Sequence, residues 1–91
     1  MEKQNESVEH TIEEQTGGAH YKELAIEPIE YICANKLDFI EGNIVKYISR
    51  HKNKNKDEDI KKIIDYSVLC LMNTYGYTKK QVTEYIKKFQ K

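Results

Sequence analysis

Ile60, Ile63, Ile64, Ser67, Val68, Leu71 and Tyr75 set the terms for any fold of this chain, because they recur at steps of three and four. That spacing gives one long helix an almost unbroken apolar side, which must be covered by something. Nowhere does the chain show the strict apolar and polar alternation of a half-buried strand. An all-α fold follows as the expectation.

The punctuation around this stripe defines further helices. Pro28 fits the first position of a helix, where its missing N–H costs nothing, and Ile29, Ile32 and Cys33 then share a side up to a stop near Asn35. Asp38 is placed to cap a second helix of about twelve residues, running through "FIEGNIVKYISR" into the loop "HKNKNK". Asp57 and its acidic neighbours suit the positive end of the third helix, and Gly76 suits its stop. "TKKQ" at 78–81 has the form of a capping box, followed by Val82, Tyr85, Ile86 and Phe89 at helical spacing. The prediction is a small bundle of about four short helices, with a C-terminal helix over 78–90.

Ninety-one residues hold one core and no more. Residues 1–19 carry five acids against one Lys, with few large apolar residues and Gly17-Gly18, so they are expected to form a mobile acidic tail. The single helical domain is then 20–91, with fourteen bases against ten acids. About seventy ordered residues bury so little that the hydrophobic gain barely exceeds the entropy lost, and self-association into a homo-oligomer is expected to help. Tyr66, Cys70 and Tyr77, beside the main stripe, are candidates for such a surface. Cys33 and Cys70 lie in apolar helical contexts without metal-ligand spacing, which predicts reduced, buried thiols. No apolar run approaches a membrane span or a secretory signal, so a cytoplasmic protein without a membrane partner is expected.

On the second helix, successive residues advance by about 100°. Phe39, Ile40, Ile44, Tyr47 and Ile48 fall toward one side, while Asn43, Lys46 and Arg50 fall together on another. Lys46 and Arg50, at i and i+4, repel by roughly 0.2–0.5 kcal/mol unless something negative lies between them. A phosphate would serve: Arg grips its oxygens in a fork, Lys adds a point charge, and Asn43 offers a neutral hydrogen bond. A solvated face paired to acids elsewhere is the competing reading. Glu41 projects toward the apolar side, where an unpaired carboxylate is costly, and so needs a partner: a cation, backbone N–H groups, a metal or a ligand. Gly42 costs roughly 1 kcal/mol relative to Ala in a helix, which suggests close approach of another backbone or a ligand there. Five bases and no acid lie between Lys46 and Lys56, with His51 among them, giving a positive field that attracts phosphates.

Neither Gly-x-x-x-x-Gly-Lys-Ser/Thr nor Gly-x-Gly-x-x-Gly occurs, which excludes ordinary P-loop and dinucleotide-binding motifs. Glu41 and Asp59 are candidate ligands for Mg2+, since oxygen-rich sites suit that ion; helix capping accounts for Asp57, Glu58 and Asp59 more simply. Asp59 shares its side of the third helix with Lys62 and Tyr66. Duplex DNA is not an expected partner, because the basic charge is local and no helix-turn-helix spacing is present.

The segments "HYK" at 20–22, "IEPIEYI" at 26–32, "LDFIEGNIVKYISRHK" at 37–52 and "EDIKKIIDY" at 58–66 resemble a family of small tailed-phage proteins of formerly unknown function, some described as nucleotide kinases acting on deoxynucleoside monophosphates. The resemblance covers roughly residues 20–70. It implies a phage protein, working in the host cytoplasm, that binds a nucleotide. His20, Tyr21, Lys22, Asn43, Lys46, Tyr47, Arg50 and Lys52 are then the candidate ligand-binding residues, and Glu41 and Arg50 the candidate catalytic ones. Phosphoryl transfer by such a protein would come from positioning two nucleotides and neutralising charge. The alternative is a binding protein without chemistry, which sequesters a nucleotide signal or contacts a host protein.

Overall fold

The computed structural model describes residues 24–90, which form four α-helices: α1 Pro28–Ala34, α2 Phe39–Arg50, α3 Asp57–Tyr75 and α4 Lys79–Ile86. Single 3-10 turns follow α2 at His51–Asn53 and α4 at Lys87–Phe89. No strand occurs among the described residues. The acidic segment 1–19 and the candidates His20, Tyr21 and Lys22 lie outside them.

Local chemistry accounts for most boundaries. Pro28 opens α1, and Asn35 closes it with Lys36 in the left-handed region at φ 55°. The N–H groups of Lys36 and Leu37 reach back to the carbonyls of Cys33 and Ile32 at 3.2 and 3.0 Å, satisfying two acceptors that a helix end leaves open. Asp38 caps α2: its carboxylate accepts from the Glu41 N–H at 2.8 Å, and the Glu41 carboxylate accepts from the Asp38 N–H at 3.0 Å. Thr78 and Gln81 close the same kind of box on α4 at 3.1 and 2.8 Å. At the end of α3, Gly76 takes φ 73°, which glycine adopts at no steric cost.

The start of α3 differs from the acidic cap expected there. Its N-cap is Lys56, with φ 54° and no side-chain cap. Asp57 and Glu58 are exposed in the first turn, where their charge favours the helix dipole, whereas Asp59 is fully buried.

Helices α2 and α3 pack as an antiparallel hairpin: Arg50 meets Asp59 near the loop, and Phe39 meets Tyr66 farther along. Helix α1 lies against α2 at Gly42, where a Cβ would come within 3.1 Å of Ile32 Cγ2. The close approach at Gly42 is therefore made by a side chain from α1, and not by the backbone or ligand expected there.

Packing departs from the apolar stripes in an informative way. The side of α2 that α3 covers includes the polar Arg50, which is 5% exposed, while Ile48 and Phe39 on the expected core side stay exposed. Glu41, expected to need burial compensation, is exposed and bonded to backbone. The thiols expected to be buried are not: Cys33 is exposed and Cys70 half-buried. Among the described residues Val82 and Pro28 are the apolar side chains that are buried, and on α3 Ile64 and Tyr75 remain 54% and 70% exposed. Among the described residues the hairpin thus buries an ion pair, half-buries Ile40, Ile44, Ile60 and Ile63, and leaves Ile48 and Ile64 exposed.

Candidate anion site

Arg50 and Asp59 fix the geometry from which the site is built. The Arg50 Nε and Nη2 groups donate to the two Asp59 carboxylate oxygens at 3.2 and 3.3 Å, a fork that holds the last turn of α2 to the first turn of α3. Asn55 adds a donor to Asp59 at 3.4 Å from the connecting loop. Burial pushes the Asp59 carboxyl up, but the hydrogen bonds and charge of Arg50, with those from Asn55, outweigh it and hold the group below the ordinary carboxylate range. Asp59 thus carries its negative charge inside the hairpin at neutral pH.

One turn up α2 from Arg50 lies Tyr47, stacked on Tyr66 of α3 with ring centroids 6.1 Å apart and planes at 21°. Phe39 meets the other end of this aromatic row edge-on, 6.1 Å from Tyr66. Three cations gather on the Tyr47 ring: Arg50 Cζ at 4.7 Å, Lys46 Nζ at 4.8 Å and Lys62 Nζ at 5.2 Å from its centroid. The ring's electron-rich face attracts each, by roughly 0.5–1 kcal/mol at a partly exposed site. Asp59 answers their mutual repulsion at Arg50. Among the described residues, no carboxylate lies within ion-pair distance of Lys46 or Lys62. Two ammonium groups, from half-buried Lys46 and exposed Lys62, thus stand near one ring.

The other candidates distribute as follows. Asn43 donates its amide to the Phe39 carbonyl at 2.8 Å, so its carbonyl oxygen is the end left to face a ligand. Lys52 is exposed beyond the 3-10 turn, and its own carbonyl accepts from Lys56 Nζ at 2.6 Å. Glu41 and Arg50 stand nine residues apart on α2, which places them on opposite sides of the helix and about 13 Å apart along it. The structure therefore does not bring these two into one pocket of a single chain. Glu41 and Asp59, the metal candidates, are likewise apart and each engaged, one with backbone and one with Arg50. Among the described residues no three His, Cys, Asp or Glu side chains gather as a metal would require.

Lys62 and Tyr66 belong to the site yet were not among the candidates read from the sequence. Their signal was present in the shared side of Asp59, Lys62 and Tyr66, which becomes a site only when α2 is laid against it. No helix among the described residues is long and apolar enough to cross a membrane.

Comparison with known proteins adds a family and nothing further. No curated protein and no solved structure matches the chain. A family model matches residues 15–67, a span that contains the Asp59 pair, Lys46, Tyr47, Lys62 and Tyr66 and stops within α3. With more than half of its length matched, the chain belongs to the DUF3310 family, described as proteins of unknown function.

Proposed function

We propose that this chain binds a phosphate-bearing nucleotide on the α2–α3 surface, with Lys46 and Lys62 on the phosphate and the Tyr47–Tyr66 row against the base or sugar. The observation that carries this reading is the gathering of three cations on the Tyr47 ring with a carboxylate at one of them. A dianionic phosphate between two ammonium groups relieves their repulsion, and aromatic planes offer a sequence-tolerant surface to a base. Arg50 acts here as the support. Its fork holds the last turn of α2 in place, so that Lys46 and Tyr47 are presented at a fixed angle to Lys62.

Phosphoryl transfer to a deoxynucleoside monophosphate, which the phage-kinase resemblance implies, is the finer form of this reading. The lysines suit the charge neutralisation such a transfer needs. Glu41 faces away from Arg50 on α2, so a carboxylate taking part in such a transfer would have to come from elsewhere than Glu41 of the same chain. The test is calorimetric titration with deoxynucleoside mono- and triphosphates, with product analysis on the same mixtures. Binding without product supports sequestration, binding with product establishes the kinase, and no heat with any nucleotide refutes both.

A further inference from the structure

One phosphate between Lys46 and Lys62 answers only part of the charge at this end of the hairpin. Residues 46–62 carry seven bases against three acids. Of those acids, Asp59 is taken by Arg50 and Glu58 by Lys61. Among the described residues no carboxylate lies within ion-pair distance of Lys46, Lys52, Lys54, Lys56 or Lys62. Lys52, Lys54 and Lys56 sit exposed on the connection between α2 and α3, at the end of the hairpin where Arg50 meets Asp59. Lys46 and Lys62 stand one helical turn farther in, so the five lysines extend from the tip of the hairpin inward.

The rings continue the same surface away from the tip. From Tyr47 the row runs to Tyr66 and on to Phe39, with 6.1 Å between centroids at each step. Phe39 opens α2 eleven residues before Arg50, roughly 16 Å along the axis, and is 75% exposed. Asn43 lies one turn from Phe39 and one from Tyr47; its amide N–H is spent on the Phe39 carbonyl, which leaves its own oxygen for the edge of a base. A mononucleotide carries one base and is shorter than this track. A nucleoside triphosphate has more phosphates but still one base, so it would use the lysines and leave Phe39 idle. A ligand that repeats base and phosphate along its length meets rings and cations in series. Aromatic platforms beside a positive track hold single strands in this way, with little regard for sequence. A duplex keeps its bases stacked on one another and has no face to offer the rings.

We infer that the α2–α3 surface binds a single-stranded nucleic acid, with bases on Phe39 and the Tyr47–Tyr66 pair and backbone phosphates on Lys46, Lys62 and the lysines of the connection. This rests on the nucleotide reading of the same surface and changes its ligand from a free nucleotide to a strand.

The test is fluorescence anisotropy of the full chain with a labelled oligothymidylate of about twelve residues, competed by thymidine monophosphate, thymidine triphosphate and the same strand annealed to its complement. At low salt the strand should bind about tenfold or more tightly than the monophosphate. Its log affinity should fall against log salt with a slope of about −2, since each of about three phosphates contributes about −0.7. Phe39→Ala should weaken the strand about fivefold or more and leave the monophosphate unchanged. Lys52→Gln with Lys54→Gln, which breaks no ion pair among the described residues, should flatten the salt slope. A strand bound no more tightly than the monophosphate or the triphosphate overturns the inference, as does a preference for the duplex or a strand affinity unchanged in both variants. Monophosphate binding without preference for the strand overturns it and leaves the nucleotide reading standing, whereas no binding of any of the four ligands defeats both.

Discussion

Arg50 and Asp59, nine residues apart in sequence, meet as a doubly hydrogen-bonded ion pair that is sealed from solvent, with the carboxylate fully buried. In a chain whose described residues bury few apolar side chains, Val82 and Pro28, this pair takes the place that a core residue would hold. Arg50 is also one of the cations on Tyr47, which ties the stability of the hairpin to the shape of the anion site.

Removing one partner of the pair should therefore destabilise the domain strongly. An uncompensated buried charge costs about 3–5 kcal/mol, a large share of the total stability of about 5–15 kcal/mol for ordinary domains. Asp59→Ala and Arg50→Ala are each expected to lower the urea midpoint markedly. Replacing both with apolar residues of similar volume, Arg50→Met with Asp59→Leu, should recover much of the loss. Additive single losses in that double variant would contradict the coupling.

The pair also sets a sign for the acid limb. Because the Asp59 carboxyl titrates lower in the folded state than its unfolded value of about 3.9, its contribution is fully present above that value and is lost as pH falls through the folded one. Urea midpoints measured from pH 6 downward should fall below about pH 4 in the wild type. Asp59→Asn should start less stable and show a shallower acid limb; an identical slope would show that Asp59 carries no linked proton.

Gly42 predicts the behaviour of the α1–α2 contact. An alanine there gains about 1 kcal/mol of helix propensity but presses its methyl on Ile32, whose half-buried side chain has room to yield. Gly42→Ala should stay within about 1 kcal/mol of wild type, whereas Gly42→Leu should lose about 1–3 kcal/mol by overpacking. Ile32→Ala should relieve the leucine variant in a double-mutant cycle. A leucine variant as stable as wild type would mean that α1 does not pack there.

Lys36 holds a left-handed backbone conformation at the end of α1, where glycine is favoured. Lys36→Gly should stabilise the domain by about 0.5–1 kcal/mol, read as a rise in thermal midpoint, without touching the anion site. A fall would show that the lysine side chain supports the turn.

Much of the fold is written in local chemistry. Pro28, Asp38, Thr78 with Gln81, and Gly76 mark helix ends through bonds that each residue makes within a few positions of itself, and the structure has the helix ends there. The hairpin's interior is less legible. Arg50 is buried because Asp59 waits on another helix, and an amphipathic stripe taken one helix at a time points Ile48 inward and Arg50 outward. Glu41 misled for a related reason: its partner is the backbone of Asp38, three residues back, which a side-chain projection does not display. Lys46 is legible as a candidate from its own helix and Tyr47 through the family resemblance, while Lys62 and Tyr66 join them only through the pairing of α2 with α3.

The central claim is that Lys46 and Lys62 together hold a phosphate over Tyr47. Its most direct test is titration of the wild type, Lys46→Ala and Lys62→Ala with a deoxynucleoside monophosphate and with the same nucleoside lacking its phosphate. Both lysines are outside any ion pair among the described residues, so the variants should stay within about 0.5 kcal/mol of wild-type stability. The account predicts that the monophosphate binds the wild type, that each variant weakens it roughly tenfold or more, which is about 1.4 kcal/mol, and that the bare nucleoside binds all three proteins alike. Equal monophosphate affinity in the wild type and both folded variants would contradict it.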